Sequence, residues 1–201
     1  MRKKWKWLMI PILGVIFWLA LPSDDADYIR KVEAEIEERK DYLKTNSESP
    51  FRQFDIPYSA PVYFPIDSKY KVNAKVERIQ KKSVVKIPDS QSKEQSYQRY
   101  AWLHFRLGGQ AFKLLVLRPY GMPGADIFFL AFSDETSGEL TYGGGRYMDI
   151  EIGKSDKIVL DFNLAYSPYC AYVDEYVCPF PPKENHLGLA VLAGEKYVYD
   201  H

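Results

Sequence analysis

The sequence predicts a mainly β protein (α+β by count): an antiparallel β sandwich or partly open barrel, preceded by an N-terminal transmembrane or signal segment and one amphipathic helix. Three observations predict this fold. Apolar and polar residues alternate from Tyr70 onwards, as in a strand with one buried face. Two alternating runs flank Gly108 and Gly109, which is typical of a β hairpin. After residues 24–44, no segment has a convincing helical period.

The first 22 residues are typical of a signal anchor. Residues 2–6 include four basic side chains, and residues 7–21 form an uncharged apolar run of 15 residues. Pro22 follows without a small-residue cleavage site, and no cysteine is nearby for lipid attachment. We therefore expect residues 1–22 to anchor the protein in a membrane, with the globular domain outside the cytoplasm. The alternative is cleavage of this segment, which would give a secreted or periplasmic protein.

Residues 23–49 predict an amphipathic helix and a linker. Apolar residues recur near helical spacing between residues 24 and 44. They are Ile29, Val32, Ile36 and Leu43. Residues 50–201 then predict a β-rich globular domain, which opens with four prolines between residues 50 and 65. Proline limits regular structure, so we expect residues 50–65 to be extended and irregular.

The strand predictions centre on the hairpin at Gly108 and Gly109. A two-residue turn there pairs Leu107 with Gln110, and it places His104 opposite Lys113 on the outer face. On the inner face, the same register pairs aromatic and aliphatic residues. The inner pairs are Phe105 with Phe112, Leu103 with Leu114, and Ala101 with Val116. Other strands are predicted at residues 70–77, 83–87, 126–132, 147–152 and 157–162.

Composition and charge exclude two classes of protein. The chain has 201 residues, of which 46% are hydrophobic and 15% aromatic, so it can bury enough apolar surface to fold. The first 21 residues hold four of its 27 basic and none of its 27 acidic side chains, so residues 22–201 are mildly acidic. A nucleic-acid-binding protein needs clustered cations that this balance does not provide. We expect one globular domain and no nucleic-acid partner.

Cys170 and Cys178 are a candidate disulfide. They lie in a segment rich in tyrosine and proline, and in an oxidising compartment they would close a short loop worth about 2–3 kcal/mol. Two buried free thiols are the alternative. A metal pair completed by His186 is a third reading, but its spacing matches no zinc signature. We therefore expect no metal and no cofactor.

Several short strings after residue 22 are distinctive in combination. They are YFPID at residues 63–67, FSDETSGELTYGGGRY at 132–147, LDFNLAYSPYCAY at 160–172, CPFPP at 178–182, Glu184-Asn185, and AGEK at 193–196. Together they resemble an uncharacterised bacterial family, the domain of unknown function numbered 1684. The resemblance runs over most of the chain after residue 22. It implies little about chemistry, because the family has no established activity.

Three consecutive glycines, Gly143 to Gly145, precede Arg146 and suggest a candidate ligand site. Their N–H groups can form a concave anion-binding nest beside the guanidinium. The alternative is a tight turn in which Arg146 pairs with Asp134 or Asp149. Nearby tyrosines either line a pocket or hold loops over the core. The residues assigned to ligand binding are Tyr142, Arg146, Asn163 and Tyr166.

No motif indicates an enzyme. G-x-S-x-G and H-E-x-x-H are absent, and the three histidines lie in unrelated contexts, which leans against catalysis. The leading hypothesis is a membrane-anchored extracytoplasmic binding or interaction module for a small anionic or sugar-like ligand or an envelope protein. One alternative is a small hydrolase of a cell-envelope component with converging carboxylates. The carboxylates considered are Asp134, Asp149, Asp161, Glu184 and Glu195. A purely structural envelope protein is the other alternative.

Overall fold

The computed structural model describes residues 24–121 and 127–198. Its long helix α1, Asp24–Thr45, confirms the helix predicted for residues 24–44. Val32, Ile36 and Leu43 are buried along one side of it. Within the described residues, no helix is long and apolar enough to cross a membrane. The predicted anchor at residues 1–22 lies outside the described residues.

The proline-rich segment is more regular than expected. Pro50–Gln53 forms a short helix, α2, which begins after Ser49. The Ser49 hydroxyl accepts a hydrogen bond from the Arg52 backbone N–H at 3.3 Å, and proline is well tolerated in the first turn of a helix. The prediction of irregular chain throughout residues 50–65 was therefore wrong, because a serine followed by proline is also a helix start.

Ten strands lie within the described residues. They are β1 (Val62–Tyr63), β2 (Lys71–Arg78), β3 (Val84–Pro88), β4 (Glu94–Leu107), β5 (Gln110–Pro119), β6 (Ala131–Asp134), β7 (Arg146–Tyr147), β8 (Lys157–Asp161), β9 (His186–Leu187) and β10 (Glu195–Lys196). Strand β4 is central to a five-stranded antiparallel sheet, since it pairs with β5, β3 and β2, and β2 pairs in turn with β8.

The predicted hairpin register is confirmed. Leu107 pairs with Gln110 and His104 with Lys113, and the expected apolar pairs follow on the inner face. Gly108 and Gly109 have φ angles of 56° and 81°, a conformation that glycine adopts without the steric cost of a side chain. A turn this short fixes the register of the residues next to it, which is why the sequence alone predicted the pairs as far as Ala101 and Val116. Beyond them a β bulge shifts the pairing, so that Arg99 lies opposite Leu117.

Smaller sheets cover the inner face of the large one. Strand β6 pairs antiparallel with β7 and parallel with β9, while β1 pairs with β10. The main core lies between the large sheet and the sheet formed by β6, β7 and β9. It joins Leu103, Leu114 and Leu160 of the large sheet with Phe132 of β6 and Leu187 of β9. The architecture is mainly β with antiparallel sheets and one long helix. No sheet within the described residues closes into a barrel, and the choice between a sandwich and a partly open barrel stays a prediction.

The later strands are shorter than predicted. Strand β8 matches the prediction at residues 157–162 to within one residue, and β6 overlaps the end of the prediction at 126–132. The predicted strand at 147–152 was wrong, since β7 ends at Tyr147. Met148 and Ile152 are buried, as the alternation of apolar residues suggests. Among the described residues, the Met148 N–H donates to the Leu130 carbonyl, and Ile152 belongs to no strand. Alternation shows which side chains are buried and does not supply a partner strand.

Candidate ligand-binding cleft

A cleft of about 810 Å³ lies between α1 and the part of the domain around β8. This volume is within the range of small-molecule sites, roughly 300–1,000 Å³. Its walls combine four tyrosines, four carboxylates, two cations and four apolar side chains. They are Tyr42, Tyr63, Tyr166, Tyr169, Glu35, Glu38, Asp149, Asp161, Arg39, Lys71, Ile36, Met148, Val159 and Leu164.

Arg39 extends from α1 over the ring of Tyr166. The guanidinium carbon is 3.7 Å from the ring centre, a cation–π contact worth about 0.5–2 kcal/mol. Arg39 makes one further, long hydrogen bond of 3.5 Å to the Ser167 carbonyl. It forms no salt bridge with any carboxylate in the described part of the chain. The guanidinium is therefore held in place by an aromatic ring, and no described carboxylate contacts it to neutralise its charge.

The helical register explains how a charged residue reaches this position. Arg39 lies three residues after Ile36 and four before Leu43, and both of these apolar residues are buried. Residues at this spacing share one side of a helix, so Arg39 must point towards the domain. It is half-buried there.

The Tyr166 ring is fixed at both ends. Its backbone pairs with Tyr147 in an isolated β bridge, and its hydroxyl donates to Asp149 Oδ1 at 2.7 Å. Burial raises the pKa of Tyr166, and the Asp149 carboxylate raises it further. The phenol therefore remains a neutral donor to Asp149 at physiological pH.

A buried carboxylate lies behind the cleft. Glu195 of β10 is opposite Tyr63 of β1 and is fully buried. It accepts hydrogen bonds from the Tyr172 hydroxyl at 2.6 Å and from the Ser167 backbone N–H at 3.1 Å. Burial raises the pKa of Glu195, although the Tyr172 hydrogen bond and the charge of Arg39 oppose the shift.

Glu195 in turn affects Arg39 through space. Burial acts to lower the pKa of Arg39, but Tyr172, Tyr63 and Glu195 together raise it above its ordinary value. Arg39 is therefore a permanent cation. The neighbouring Tyr63 hydroxyl is buried and makes no hydrogen bond to any described residue, so the polar groups here are incompletely paired.

Two aspartates of the domain face the cleft in ordered positions. Asp149 accepts from Tyr166, and Asp161 accepts from the Tyr28 hydroxyl of α1 at 2.8 Å. Asp161 also receives the backbone N–H and the side-chain amide of Asn163 at 3.1 and 3.0 Å. These bonds hold both carboxylates as oriented acceptors at the cleft wall.

The four residues assigned to ligand binding are not brought together. Tyr166 lines the cleft. Asn163 does not line it, but its side-chain amide donates a hydrogen bond to Asp161, which does. Tyr142 instead extends its hydroxyl towards the Cys170 sulfur, 3.7 Å away, and its ring packs on Tyr197. Neither Tyr142 nor Arg146 lines the cleft.

Arg146 is buried within the core, with 1% of its surface exposed. It donates to Asp134 Oδ2 at 2.7 Å, to the Val191 carbonyl at 3.0 Å and to the Ala193 carbonyl. Burial lowers the pKa of Arg146, and the Asp134 carboxylate opposes that shift. These contacts correspond to the turn interpretation of the glycine run, in which Arg146 pairs with Asp134.

The glycine run is a closely packed turn. Gly145 has a φ angle of 84°, and a Cβ atom there would lie 2.5 Å from Pro181 and 2.7 Å from the Phe132 carbonyl oxygen. Its N–H donates to the Tyr142 carbonyl at 3.0 Å. Glycine is therefore required by the backbone conformation and by the neighbouring chain.

The two cysteines lie side by side as free, buried thiols. The Cys170 backbone N–H donates to the Cys178 sulfur at 3.2 Å. A hydrogen bond from Cys178 lowers the pKa of Cys170 to about 7, whereas the same interaction raises the pKa of Cys178. Over residues 24–121 and 127–198, no group of three or more potential ligands could hold a metal ion.

The carboxylates considered for catalysis are dispersed. Asp149 and Asp161 share the cleft, but Asp134 is paired with Arg146, and Glu184 forms a salt bridge of 2.9 Å with Arg99. Glu195 lies behind the cleft wall. Sequence reasoning missed Arg39, although one signal was present: a charged residue in the apolar stripe of an amphipathic helix.

Comparison with known proteins gives a family and a structural relative. The model of a family described as "Protein of unknown function (DUF1684)" matches residues 58–196. A solution NMR structure of an uncharacterised protein from Haloarcula marismortui is similar, with 34% identity and a TM-score of 0.67. The similarity covers 89% of this chain and 98% of that one. No curated protein matches.

The family match includes only part of the cleft. Tyr166, Asp149 and Asp161 lie within residues 58–196, whereas Arg39 and the rest of α1 precede them. One wall of the cleft is thus formed by the family domain and the other by the helix before it. Because the family model matches more than half of the sequence, the chain belongs to the family of proteins of unknown function DUF1684.

Proposed function

We propose that the protein is a membrane-anchored extracytoplasmic binding module whose ligand site is the cleft between α1 and β8. The observation that carries this proposal is the Arg39–Tyr166 pair. A guanidinium with no described carboxylate within salt-bridge distance lies over an ordered ring, inside a cavity of about 810 Å³. A cation held this way costs free energy in the empty protein and is available to a ligand acceptor.

The lining favours a neutral, sugar-like ligand over an anion. Its four carboxylates outnumber its two cations, so a purely anionic molecule would be repelled by most of the wall. Ordered carboxylates such as Asp149 and Asp161 accept hydrogen bonds from hydroxyl groups, and Arg39 donates to ring or carbonyl oxygens. Tyrosine rings add flat apolar surface with a polar edge. Hydroxyl-rich rings fit this combination.

Titration calorimetry of the full chain in neutral detergent tests the site. The probes are trimers of glucose and of N-acetylglucosamine, with glucuronic acid as the anionic comparison. We expect a neutral trimer to bind, and Tyr166→Leu to weaken that binding at least tenfold. Tyr120→Leu is the matched control, because Tyr120 is 64% exposed and is not part of the cleft lining. Equal weakening by both variants, or binding of glucuronic acid alone, would reject the sugar-like site.

The membrane part of the proposal rests on the apolar run at residues 7–21, with cations before it. Helix α1 follows this segment directly in the sequence. A reporter that is active only outside the cytoplasm, fused after His201, should be active. The intact protein should also remain with membranes during alkaline extraction. Release into the soluble fraction would contradict the anchor and leave the cleft proposal unaffected.

A hydrolase is a second candidate because Asp149 and Asp161 lie in the same cleft. A glycoside-type mechanism needs two carboxyl groups on opposite sides of the bond that is cleaved. If this reaction occurs, the neutral trimers should release reducing ends, and both Asp149→Asn and Asp161→Asn should abolish the release. Tight binding with no release during prolonged incubation supports the binding module instead.

A further inference from the structure

Four basic side chains lie side by side across the outer face of the five-stranded sheet. Lys113 of β5 is opposite His104 of β4, His104 is opposite Lys75 of β2, and Lys75 is opposite Lys157 of β8. Neighbouring strands are about 4.8 Å apart, so these side chains span roughly 14 Å. We refer to Lys113, His104, Lys75 and Lys157 as the basic row.

The basic row borders a groove of about 510 Å³. The pairing of β2 with β4 ends at Lys75 and His104, and the groove lies where the two strands separate beyond that point. Arg106, two residues after His104 on the same face, adds another cation. Of the residues that the structure describes, no acidic one lines the groove, and none lines both the groove and the cleft beside α1.

Folding does not account for this arrangement of charge. Like charges directly opposite each other on neighbouring strands are destabilising, and Lys75 faces Lys157 in this way. Among the described residues, neither lysine has a carboxylate within salt-bridge distance. One acid lies beside the row, Glu77, whose carboxylate bonds to His104 Nε2 at 2.7 Å.

The other cations are also only partly compensated. Lys113 lies over the ring of Trp102, with its nitrogen 4.3 Å from the ring centre. Arg106 donates to the Gly109 carbonyl and has no described carboxylate partner. Residues 22–201 carry more acidic than basic side chains, so a groove whose charged lining residues, among those described, are all basic departs from the average of the domain. Such a site concentrates anions.

We propose that this groove binds a phosphate-bearing ligand through Lys75, Lys157 and Arg106. A phosphate group carries more than one negative charge and several acceptor oxygens, which matches cations that approach from two strands and from the groove edge. Soluble phosphate compounds and phospholipid headgroups share this chemistry. The site is separate from the cleft, so it does not depend on the function proposed above.

The test compares two double variants of the full chain in neutral detergent. Calorimetry measures the affinity for pyrophosphate, and a second titration uses micelles doped with phosphatidylglycerol in place of pyrophosphate. We expect Lys75→Gln with Lys157→Gln to weaken binding at least tenfold. The matched control, Lys81→Gln with Lys82→Gln, removes the same charge from two exposed lysines outside the groove and should change affinity less than twofold.

The two titrations identify the source of the phosphate. Binding of pyrophosphate indicates a soluble ligand, and binding of phosphatidylglycerol micelles alone indicates a lipid headgroup. Equal weakening by both double variants would mean nonspecific attraction and would overturn the proposal, as would no binding of either probe. Melting temperature gives a second readout. Removing facing like charges should leave it unchanged or raise it, whereas a clear fall would show that the lysines are structural.

Discussion

Arg146 and Arg39 are two arginines in different surroundings. Arg146 is fully buried and donates to a carboxylate and two carbonyls, whereas Arg39 is half-buried and has one long hydrogen bond and a ring. In both, the Nε atom is buried without a hydrogen-bond partner among the described residues. The difference lies in the terminal nitrogens and in the presence of a counter-charge. Satisfied contacts mark the structural arginine, and available donors mark the candidate binding arginine.

The same substitution at both positions tests this comparison, and the largest effect is expected at Arg146. Lysine keeps the charge but loses the fork that bonds Asp134, Val191 and Ala193 together. Removing one partner of a buried pair costs about 3–5 kcal/mol, and lysine, which keeps the charge but cannot make the same hydrogen bonds, should cost the lower part of that range. We expect Arg146→Lys to lower the free energy of unfolding by about 3 kcal/mol in urea titration. A loss below about 1 kcal/mol would contradict a structural role.

Features that depend on residues close together in the sequence were predicted better than features that depend on distant residues. The hairpin register depends on Gly108 and Gly109 alone, and α1 on its own apolar spacing, so both were correct. The Arg146–Asp134 pair, only 12 residues apart, was one of two interpretations of the glycine turn. Local sequence patterns were therefore sufficient to predict most of the β strands.

The cleft depends on contacts between distant parts of the chain. Tyr28 and Asp161 are 133 residues apart, and no local pattern indicates that they meet. Arg39 reaches Tyr166 only because α1 docks on that side of the domain. The basic row likewise requires the β2–β8 register, which places Lys75 opposite Lys157. The sequence-based assignment grouped Tyr166 with Tyr142, Arg146 and Asn163. In the structure the Tyr166 side chain contacts Arg39 and Asp149, because tertiary packing selects the neighbours of a residue.

A pH titration of stability tests the buried carboxylate near Arg39. Burial raises the pKa of Glu195, so the folded state holds its proton more tightly than the unfolded state does. This contribution to stability is complete below the ordinary value of 4.5 and is lost as the pH rises through the folded-state pKa. Glu195→Gln removes it, because glutamine does not ionise.

We therefore expect Glu195→Gln to be more stable relative to wild type at pH 7 than at pH 4. This change in the free energy of unfolding should be smaller than the loss caused by Arg146→Lys, because the hydrogen bonds from Tyr172 and Ser167 partly compensate the buried charge of Glu195. Urea titrations at several pH values measure the difference between the two proteins, which cancels the titration of other groups. A difference that does not change with pH would show that Glu195 is not destabilised when ionised.

Arg39→Lys should affect binding more than folding. The charge is kept, so the electrostatic effect of Arg39 on Glu195 persists, while the planar contact with Tyr166 weakens. We expect less than 1 kcal/mol of lost stability and about tenfold weaker binding of whichever neutral trimer binds the wild type. Arg30→Lys on the same helix is the control, since Arg30 is exposed and lies outside the cleft lining. A loss of stability equal to that of Arg146→Lys would remove the distinction between the two arginines.

The smallest effect is expected from Tyr166→Phe, which removes one hydroxyl and keeps the ring under Arg39. The hydroxyl donates to the Asp149 carboxylate at 2.7 Å near the protein surface. Solvent there weakens a hydrogen bond to a charged group, so its contribution should be about 0.5–1.5 kcal/mol. We expect a stability loss at the lower end of that range. Binding should weaken less than in Tyr166→Leu, because phenylalanine preserves the cation–π contact and only frees the Asp149 carboxylate to reorient. Calorimetry of the three proteins with the same trimer therefore separates the two roles of Tyr166. If phenylalanine weakens binding as much as leucine does, the ordered Asp149 is the principal ligand contact, and the Arg39–Tyr166 stack serves mainly to hold α1 against the domain.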